Sequence, residues 1–263
     1  MITVDKIRKI ARDKKFPAGV IEKDYALSWL LYGIFSSDLK DILVFKGGTA
    51  LSKIYFPKTW RLSEDLYFTV VKKVEASKIK SMLADCFEAL NEKSGMAFSL
   101  AEFHPTPGHI IGTVQFSGPL GKNSIRVDIS LNERLAEKPL LKEITDDYAD
   151  VGRFGILVYS LDEIFAEKLR SIIQRGKSRD YFDVWMMFKN EEFDKAKIKG
   201  LFIKKCGDKN VEPSYELFFE KTKINEARDF WKTGLSRLMN EVPDFDRVVS
   251  DLKKGLMFLK TEL

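Results

Sequence analysis

The stretch that decides the fold runs from Val44 to Val70. It reads Val44-Phe45-Lys46-Gly47-Gly48-Thr49-Ala50-Leu51 and then, further on, Arg61-Leu62-Ser63-Glu64-Asp65-Leu66-Tyr67-Phe68-Thr69-Val70. An apolar strand over residues 42–46 ends at two glycines, a short helix covers 49–55, and a second strand covers 66–70. Adjacent glycines carry no side chains, so consecutive N–H groups and the N-terminus of the next helix can face a phosphate, with the Thr49 hydroxyl beside them. Lys46, Gly47, Gly48 and Thr49 are therefore the candidate phosphate-binding residues. Alternation along the second strand puts Asp65, Tyr67 and Thr69 on one face and turns Leu66, Phe68 and Val70 toward a core. Asp65 then points to the cradle's side, where it suits a magnesium ion carrying a triphosphate, an ion usually held by one or two carboxylates plus phosphate oxygens. Each feature taken singly also has a plain reading, a strand-to-helix turn for the glycines and an exposed strand-face acid for Asp65.

Two later segments extend the pattern. Ser124-Ile125-Arg126-Val127-Asp128-Ile129-Ser130-Leu131 alternates apolar and polar residues, with Asp128 on the polar face. If Asp128 sits beside Asp65, the two carboxylates repel unless a cation or an arginine lies between them. The alternative is an ordinary wet strand face on which Arg126 pairs with Asp128. Downstream, Ser160 and Glu163 have capping-box spacing and start a helix whose apolar stripe is Ile164, Phe165, Leu169, Ile172 and Ile173. Lys168 lies four residues from both Ile164 and Ile172, on the inward-facing line, where it either meets an anion or lays its stem over apolar surface. Asp180 and Asp183 share a face of the next helix. Either acid orients Lys168 or simply favours the helix dipole near its N-terminus.

With these motifs in order, the chain resembles the AbiEii/AbiGii-type nucleotidyltransferase toxins of type IV toxin–antitoxin systems, the family that includes the MenT-like tRNA nucleotidyltransferases. The likeness is carried by Val20-Ile21-Glu22-Lys23-Asp24-Tyr25 with Trp29-Leu30-Leu31, by Phe45-Lys46-Gly47-Gly48-Thr49-Ala50-Leu51, by Arg61-Leu62-Ser63-Glu64-Asp65-Leu66, by Arg126-Val127-Asp128-Ile129-Ser130, and by Ala166-Glu167-Lys168-Leu169 through Arg179-Asp180-Tyr181-Phe182-Asp183. The resemblance implies a phosphate-binding element at Gly48 and Thr49, a first metal carboxylate at Asp65, a third strand carboxylate at Asp128, and later catalytic motifs at Lys168 and Asp180. It also implies Mg²⁺ as cofactor, an NTP as substrate, tRNA as the favoured acceptor and a winged-helix antitoxin as partner. One position departs from the pattern. The family has an aspartate two residues after Asp65, and here that residue is Tyr67. A phenol, with a pKa near ~10, stays protonated at neutral pH and is a poor magnesium ligand. Three explanations follow: a protein that only binds nucleotide, an inactivated copy of a toxin, or a metal site rebuilt from other residues.

Composition fits an enzyme of this size. The chain of 263 residues is 44% hydrophobic and 32% charged, which is globular rather than disordered. No apolar run approaches the length of a membrane span and the N-terminus lacks a secretory pattern, so a cytoplasmic protein with no membrane partner is expected. Cys86 and Cys206 have no paired spacing, and His104 and His109 flank Pro105-Thr106-Pro107-Gly108 as if at a turn rather than a metal. The net charge of +5 is mild. Lys168, Arg170, Arg175, Lys177 and Arg179 nevertheless gather positive charge where a polyanion or a triphosphate is wanted.

The layout read from periodicity is α+β. A polymerase-β-like nucleotidyltransferase core with a mixed sheet and N-terminal helices spans 1–155, and a helical C-terminal domain spans 156–263, the pair closing on a nucleotide. Helices are expected at 3–14, 17–35, 74–92, 161–175, 180–190, 214–221, 226–239 and 245–259, strands near 98–103, 110–116 and 124–131, and a loop at 148–155. The function expected is transfer of a nucleoside monophosphate from NTP to tRNA, with Asp65, Asp128, Lys168 and Asp180 as catalytic residues and Asp65 and Asp128 as metal ligands. The competing readings are a nucleotide-binding pseudoenzyme, a small-molecule nucleotidyltransferase of the antibiotic-modifying kind, and a non-enzymatic RNA-binding module.

Overall fold

The computed structural model describes residues 1–57, 60–145 and 148–260. The chain forms two compact units, one of residues 1–135 with 139–159 and one of residues 136–138 with the chain from Ser160 onward. In the first unit the elements run α1 (Val4–Lys14), α2 (Ala18–Ser36), β1 (Leu43–Lys46), α3 (Gly47–Ala50), β2 (Asp65–Val70), α4 (Ala76–Ser94), β3 (Ala97–Pro105), β4 (His109–Gly118), β5 (Gly121–Ser130), β6 (Leu140–Thr145) and β7 (Arg153–Val158). The strands form a seven-stranded sheet in the order β3-β4-β5-β2-β1-β7-β6. It is mixed, as expected: β2 runs antiparallel to β1 and parallel to β5, and β1 is parallel to β7.

Strand β2 takes its place because one of its faces is fully apolar. Leu66 and Phe68 are wholly buried, and Phe68 lies against Phe45 of β1 and Phe35 of α2 with ring centroids 5.5 and 6.2 Å apart. The other face departs from simple alternation at its end. Thr69, expected on the polar face, is buried with its hydroxyl 2.7 Å from that of Tyr159, whereas Val70, expected in the core, is half-buried at the strand terminus.

Helix α2 is buried on nearly every side, so Tyr25, Trp29 and Leu30 are packing residues. Its polar residues act as ties. Glu22 accepts an N–H from Leu120 in the β4–β5 turn, and burial pushes its carboxyl up against the pull of that bond. Asp24 Oδ2 lies 2.9 Å from Lys53 Nζ and accepts the Tyr148 hydroxyl at 2.9 Å. Lys53 belongs to the π-helical turn Leu51–Tyr55 that continues α3, so this pair fastens α2 to the helix that starts at the glycines.

Strands β6 and β7 are not anticipated by the sequence reading, which places a loop over 148–155. Phe154, Ile156 and Val158 alternate and are buried, a strand signal masked by Gly152 and Gly155.

The second unit is helical: α5 (Leu161–Arg175), α6 (Ser178–Asn190), α7 (Lys195–Gly207), α8 (Lys221–Asp229), α9 (Trp231–Leu235) and α10 (Phe245–Gly255). The expected helix over 214–221 is a 3-10 turn, Glu216–Phe219, and the single helix over 226–239 is divided between α8 and α9. Helix α7 is new, packing Ile198, Phe202 and Cys206 inward at four-residue intervals.

The Ser160 side chain caps α5 by accepting the Glu163 N–H, but the reciprocal half of the capping box is absent. The fully buried Glu163 carboxylate instead accepts N–H groups from Ala136 and Glu137, at 2.7 and 3.1 Å, and pairs with Lys205 of α7 at 2.6 Å. Lys205 is itself completely buried and also reaches Glu167 at 3.3 Å. Removing one member of a buried pair leaves an uncompensated charge. Lys205→Met is expected to lower unfolding free energy by about 3–5 kcal/mol in urea titration, with part of that loss recovered when Glu163→Gln is added. Equal stability of the single variant and the parent would show that the pair contributes nothing.

Candidate functional site

The glycine turn is bare because its surroundings leave no room. Gly47 has φ +80°, a conformation that disfavours a side chain, and a Cβ there would lie 3.1 Å from the Tyr67 ring. At Gly48 a Cβ would meet the Arg61 guanidinium at 2.9 Å and the Ser63 hydroxyl at 3.5 Å. Helix α3 begins at Gly47 itself, so both glycines belong to its first turn rather than to a loop before it. The Thr49 side chain is wholly buried and donates its hydroxyl to the Asp65 carbonyl, tying the turn to β2. Lys46 caps the strand with its amine 5.3 Å over the Tyr159 ring.

Register sets the acidic face. Antiparallel pairing places Tyr67 opposite Lys46, and parallel pairing places Asp65 beside Arg126 and Tyr67 beside Asp128. Asp65 and Asp128 therefore share a face but are one step apart diagonally, and Tyr67 is the direct neighbour of Asp128. Arg126 Nη2 stands 3.8 Å from Asp128 Oδ2, the pairing that the alternative reading of this strand anticipates. His109 Nδ1 stands 3.5 Å from Asp128 Oδ1.

Two carboxylates so placed fit a magnesium ion that arrives on a triphosphate, because such an ion takes its remaining ligands from phosphate oxygens and water. They do not form a metal centre on their own. Among the described residues no cluster of three His, Cys, Asp or Glu side chains is spaced to hold a metal.

In the helical unit, Lys168 of α5 lies 3.2 Å from Asp180 and 2.7 Å from Asp183, both of α6. The lysine is on the inward line, and the acids are buried with it. Arg175 completes the group with a fork on Asp180, Nε at 2.8 Å and Nη2 at 3.0 Å. Burial alone would raise the Asp180 pKa, but the Lys168 and Arg175 charges outweigh it and hold the carboxyl down at about 2. The cluster thus fixes the direction of the buried Lys168 amine between two carboxylates.

Sequence reasoning passes over two residues here. Arg61 is buried against Gly48, which brings a guanidinium to the turn, and the only local signal is its place in Arg61-Leu62-Ser63-Glu64-Asp65. His109 reaches Asp128 because the β4–β5 hairpin brings the end of β5 back beside the start of β4, where His109 pairs with Ser130.

Gly47→Ala is expected to cost about 1–3 kcal/mol, since alanine must adopt the left-handed backbone. Gly19→Ala, in open space on α2, is expected to be neutral or stabilising by roughly 0.5–1 kcal/mol. Urea midpoints measure both, and equal effects would sink the strain argument. Asp180→Asn is expected to destabilise by ~3 kcal/mol, at the lower end for a buried pair because Asp183 remains. As the Asp180 pKa is depressed from 3.8 to about 2, its contribution is full above pH ~4 and fades as pH falls toward ~2. Parent and variant stabilities should therefore converge over that acid range and stay parallel above it.

A family model described as "Nucleotidyl transferase AbiEii toxin, Type IV TA system" matches residues 29–251. No curated protein matched the chain. Among solved structures, the chain superposes on MenT4, a nucleotidyltransferase toxin from Mycobacterium tuberculosis H37Rv, with a TM-score of 0.74 and 20% identity, covering 98% of this chain and 90% of that one. JHP933 from Helicobacter pylori matches with a TM-score of 0.62 and 16% identity over 93% of each chain. At these identities the structures establish a shared fold. The family model, spanning most of the chain, establishes descent: this protein belongs to the AbiEii nucleotidyltransferase toxin family of type IV toxin–antitoxin systems.

Proposed function

We propose that the chain is a magnesium-dependent nucleotidyltransferase that moves a nucleoside monophosphate from an NTP onto tRNA. The observation that carries this reading is the side-chain-free turn at Gly47 and Gly48, set beside a strand face that holds Asp65 and Asp128. The reaction is an in-line displacement: an acceptor hydroxyl oxygen bonds to the α-phosphorus, the bond to the β-phosphate oxygen breaks, pyrophosphate leaves and the hydroxyl proton is released. Backbone N–H groups of the turn and the Arg61 guanidinium hold the phosphates, and Lys46 and Thr49 support that turn. Asp65 and Asp128 hold the ion. When bound, Mg²⁺ spreads the negative charge that grows on the phosphate oxygens. Lys168, aimed by Asp180 and Asp183, is assigned to the departing pyrophosphate, a preorganised charge of the kind that lowers such barriers. The family carries a further expectation, a winged-helix antitoxin that restrains the activity in the cytoplasm. Among the described residues no helix is long and apolar enough to cross a membrane.

Tyr67 favours a second reading, a nucleotide-binding pseudoenzyme. It stands at the register partner of Asp128 in place of a carboxylate, leaving two acids where the family pattern has three. A small-molecule nucleotidyltransferase has no comparable observation in its favour.

The deciding experiment is transfer of labelled NTP, each base in turn with Mg²⁺, onto total tRNA by the parent chain and by Tyr67→Asp. Transfer by both, faster in the variant, is the expected outcome. Transfer by the variant alone identifies a fold silenced at one ligand. If neither labels tRNA while NTP still binds, the pseudoenzyme reading replaces this one.

A further inference from the structure

In the helical unit a cleft of about 530 Å³ lies between the end of α6, the start of α7 and the end of α10. Trp185 is buried and Phe188 half-buried in its lining, while Lys189, Lys195 and Lys254 are exposed around it. The three lysines come from three helices. The one carboxylate among the described lining residues, Asp251, already accepts the Trp185 indole N–H at 2.9 Å. Glu191 and Glu192 are close in sequence but do not line the cleft.

Helix stability explains only part of this charge. Lys189 and Lys254 sit in the last turns of α6 and α10, where the helix dipole favours a cation, and Lys189 also lies 4.7 Å over the Trp185 ring. Lys195 is the first residue of α7, the end at which a cation is unfavourable. Neither Lys195 nor Lys254 forms an ion pair among the described residues. Three exposed lysines around a cleft whose one lining carboxylate is already bonded suit an external polyanion, and their character bears on which one. Lysines are flexible point charges, and three of them spread around an open cleft, with no arginine fork and no buried cation in the lining, suit a phosphate backbone rather than one tightly gripped phosphate.

We propose that this cleft docks the phosphate backbone of RNA. It rests on the reading of RNA as acceptor and adds where the acceptor is held. Along α6, at 1.5 Å per residue, Lys189 lies about 9 Å from Asp183 and about 13 Å from Asp180, so contacts here position a long acceptor beyond the Lys168 group near the start of that helix.

The test is fluorescence anisotropy of labelled tRNA against the full chain over a salt series, for the parent, for Lys195→Gln/Lys254→Gln, and for Lys72→Gln/Lys73→Gln as a control on the other unit. All four lysines are exposed, and circular dichroism checks folding. Loss of two phosphate contacts is expected to weaken tRNA binding about tenfold and to flatten the log–log salt slope by roughly 1.5. NTP affinity and the control variant should be unchanged. The proposal is overturned if the cleft variant keeps the parent's affinity and slope, or if the control loses as much. It is equally overturned if NTP affinity falls in step, which would mark a free-nucleotide site. A parent that binds no tRNA removes this proposal and the acceptor reading together, whereas a parent that binds tRNA with an unaffected cleft variant removes this one alone.

Discussion

The register of β2 between its two neighbours is the constraint on which the site depends. β2 is held antiparallel by β1 and parallel by β5, and its side-chain period is two. A slip of one residue would bring Leu66 and Phe68 to the polar face and bury Asp65 and Tyr67. Burial of Leu66 and Phe68 therefore fixes the acids as firmly as it fixes the core. The same register puts Tyr67 against Gly47, so the glycine turn is shaped by the strand beside it and not by its own sequence alone.

Charge is buried in both units in a way that fixes orientation. Helix α5 carries two separate groups, Lys168 with Asp180 and Asp183, and Glu163 and Glu167 with Lys205. Hydrophobic isosteres often replace such pairs at no loss of stability, so they are weak evidence for stabilisation. Their geometric effect is clearer. Each pair forces a particular rotation of α5 against α6 or α7, because any other rotation would leave a charge without its partner. Asp24 with Lys53 does the same for α2 and the helix that follows the glycines.

Local signals made parts of this structure legible and hid others. The β1–α3–β2 segment is readable because glycines and strict alternation are both short-range features, and Lys168 is readable because helical spacing alone places it inward. Strand β7 is hidden although Phe154, Ile156 and Val158 alternate, since Gly152 and Gly155 give the segment the composition of a loop. Helix α7 is obscured by Gly200 and its run of lysines, which dilute an apolar stripe of Ile198, Phe202 and Cys206. Arg61 and His109 could not be placed from sequence spacing. One depends on a side chain folding over Gly48, the other on the β4–β5 hairpin returning β5 alongside β4.

Tyr67 is best understood through the electrostatics of that strand face. Three carboxylates on adjacent strands repel one another, and the repulsion is relieved by a bound cation, a nearby arginine or a proton on one of them. With a phenol at the middle position the remaining acids are diagonal neighbours, and Asp128 has the Arg126 guanidinium within 4 Å to share its charge, with His109 Nδ1 at 3.5 Å. The repulsion on this face is thereby reduced without an ion, and in the proposed mechanism a metal would enter with the phosphates that complete its shell. On the proposed reading, tyrosine in place of aspartate at position 67 would make the site accept an ion with its substrate rather than hold one in advance, so its cost would fall on metal binding rather than on the fold.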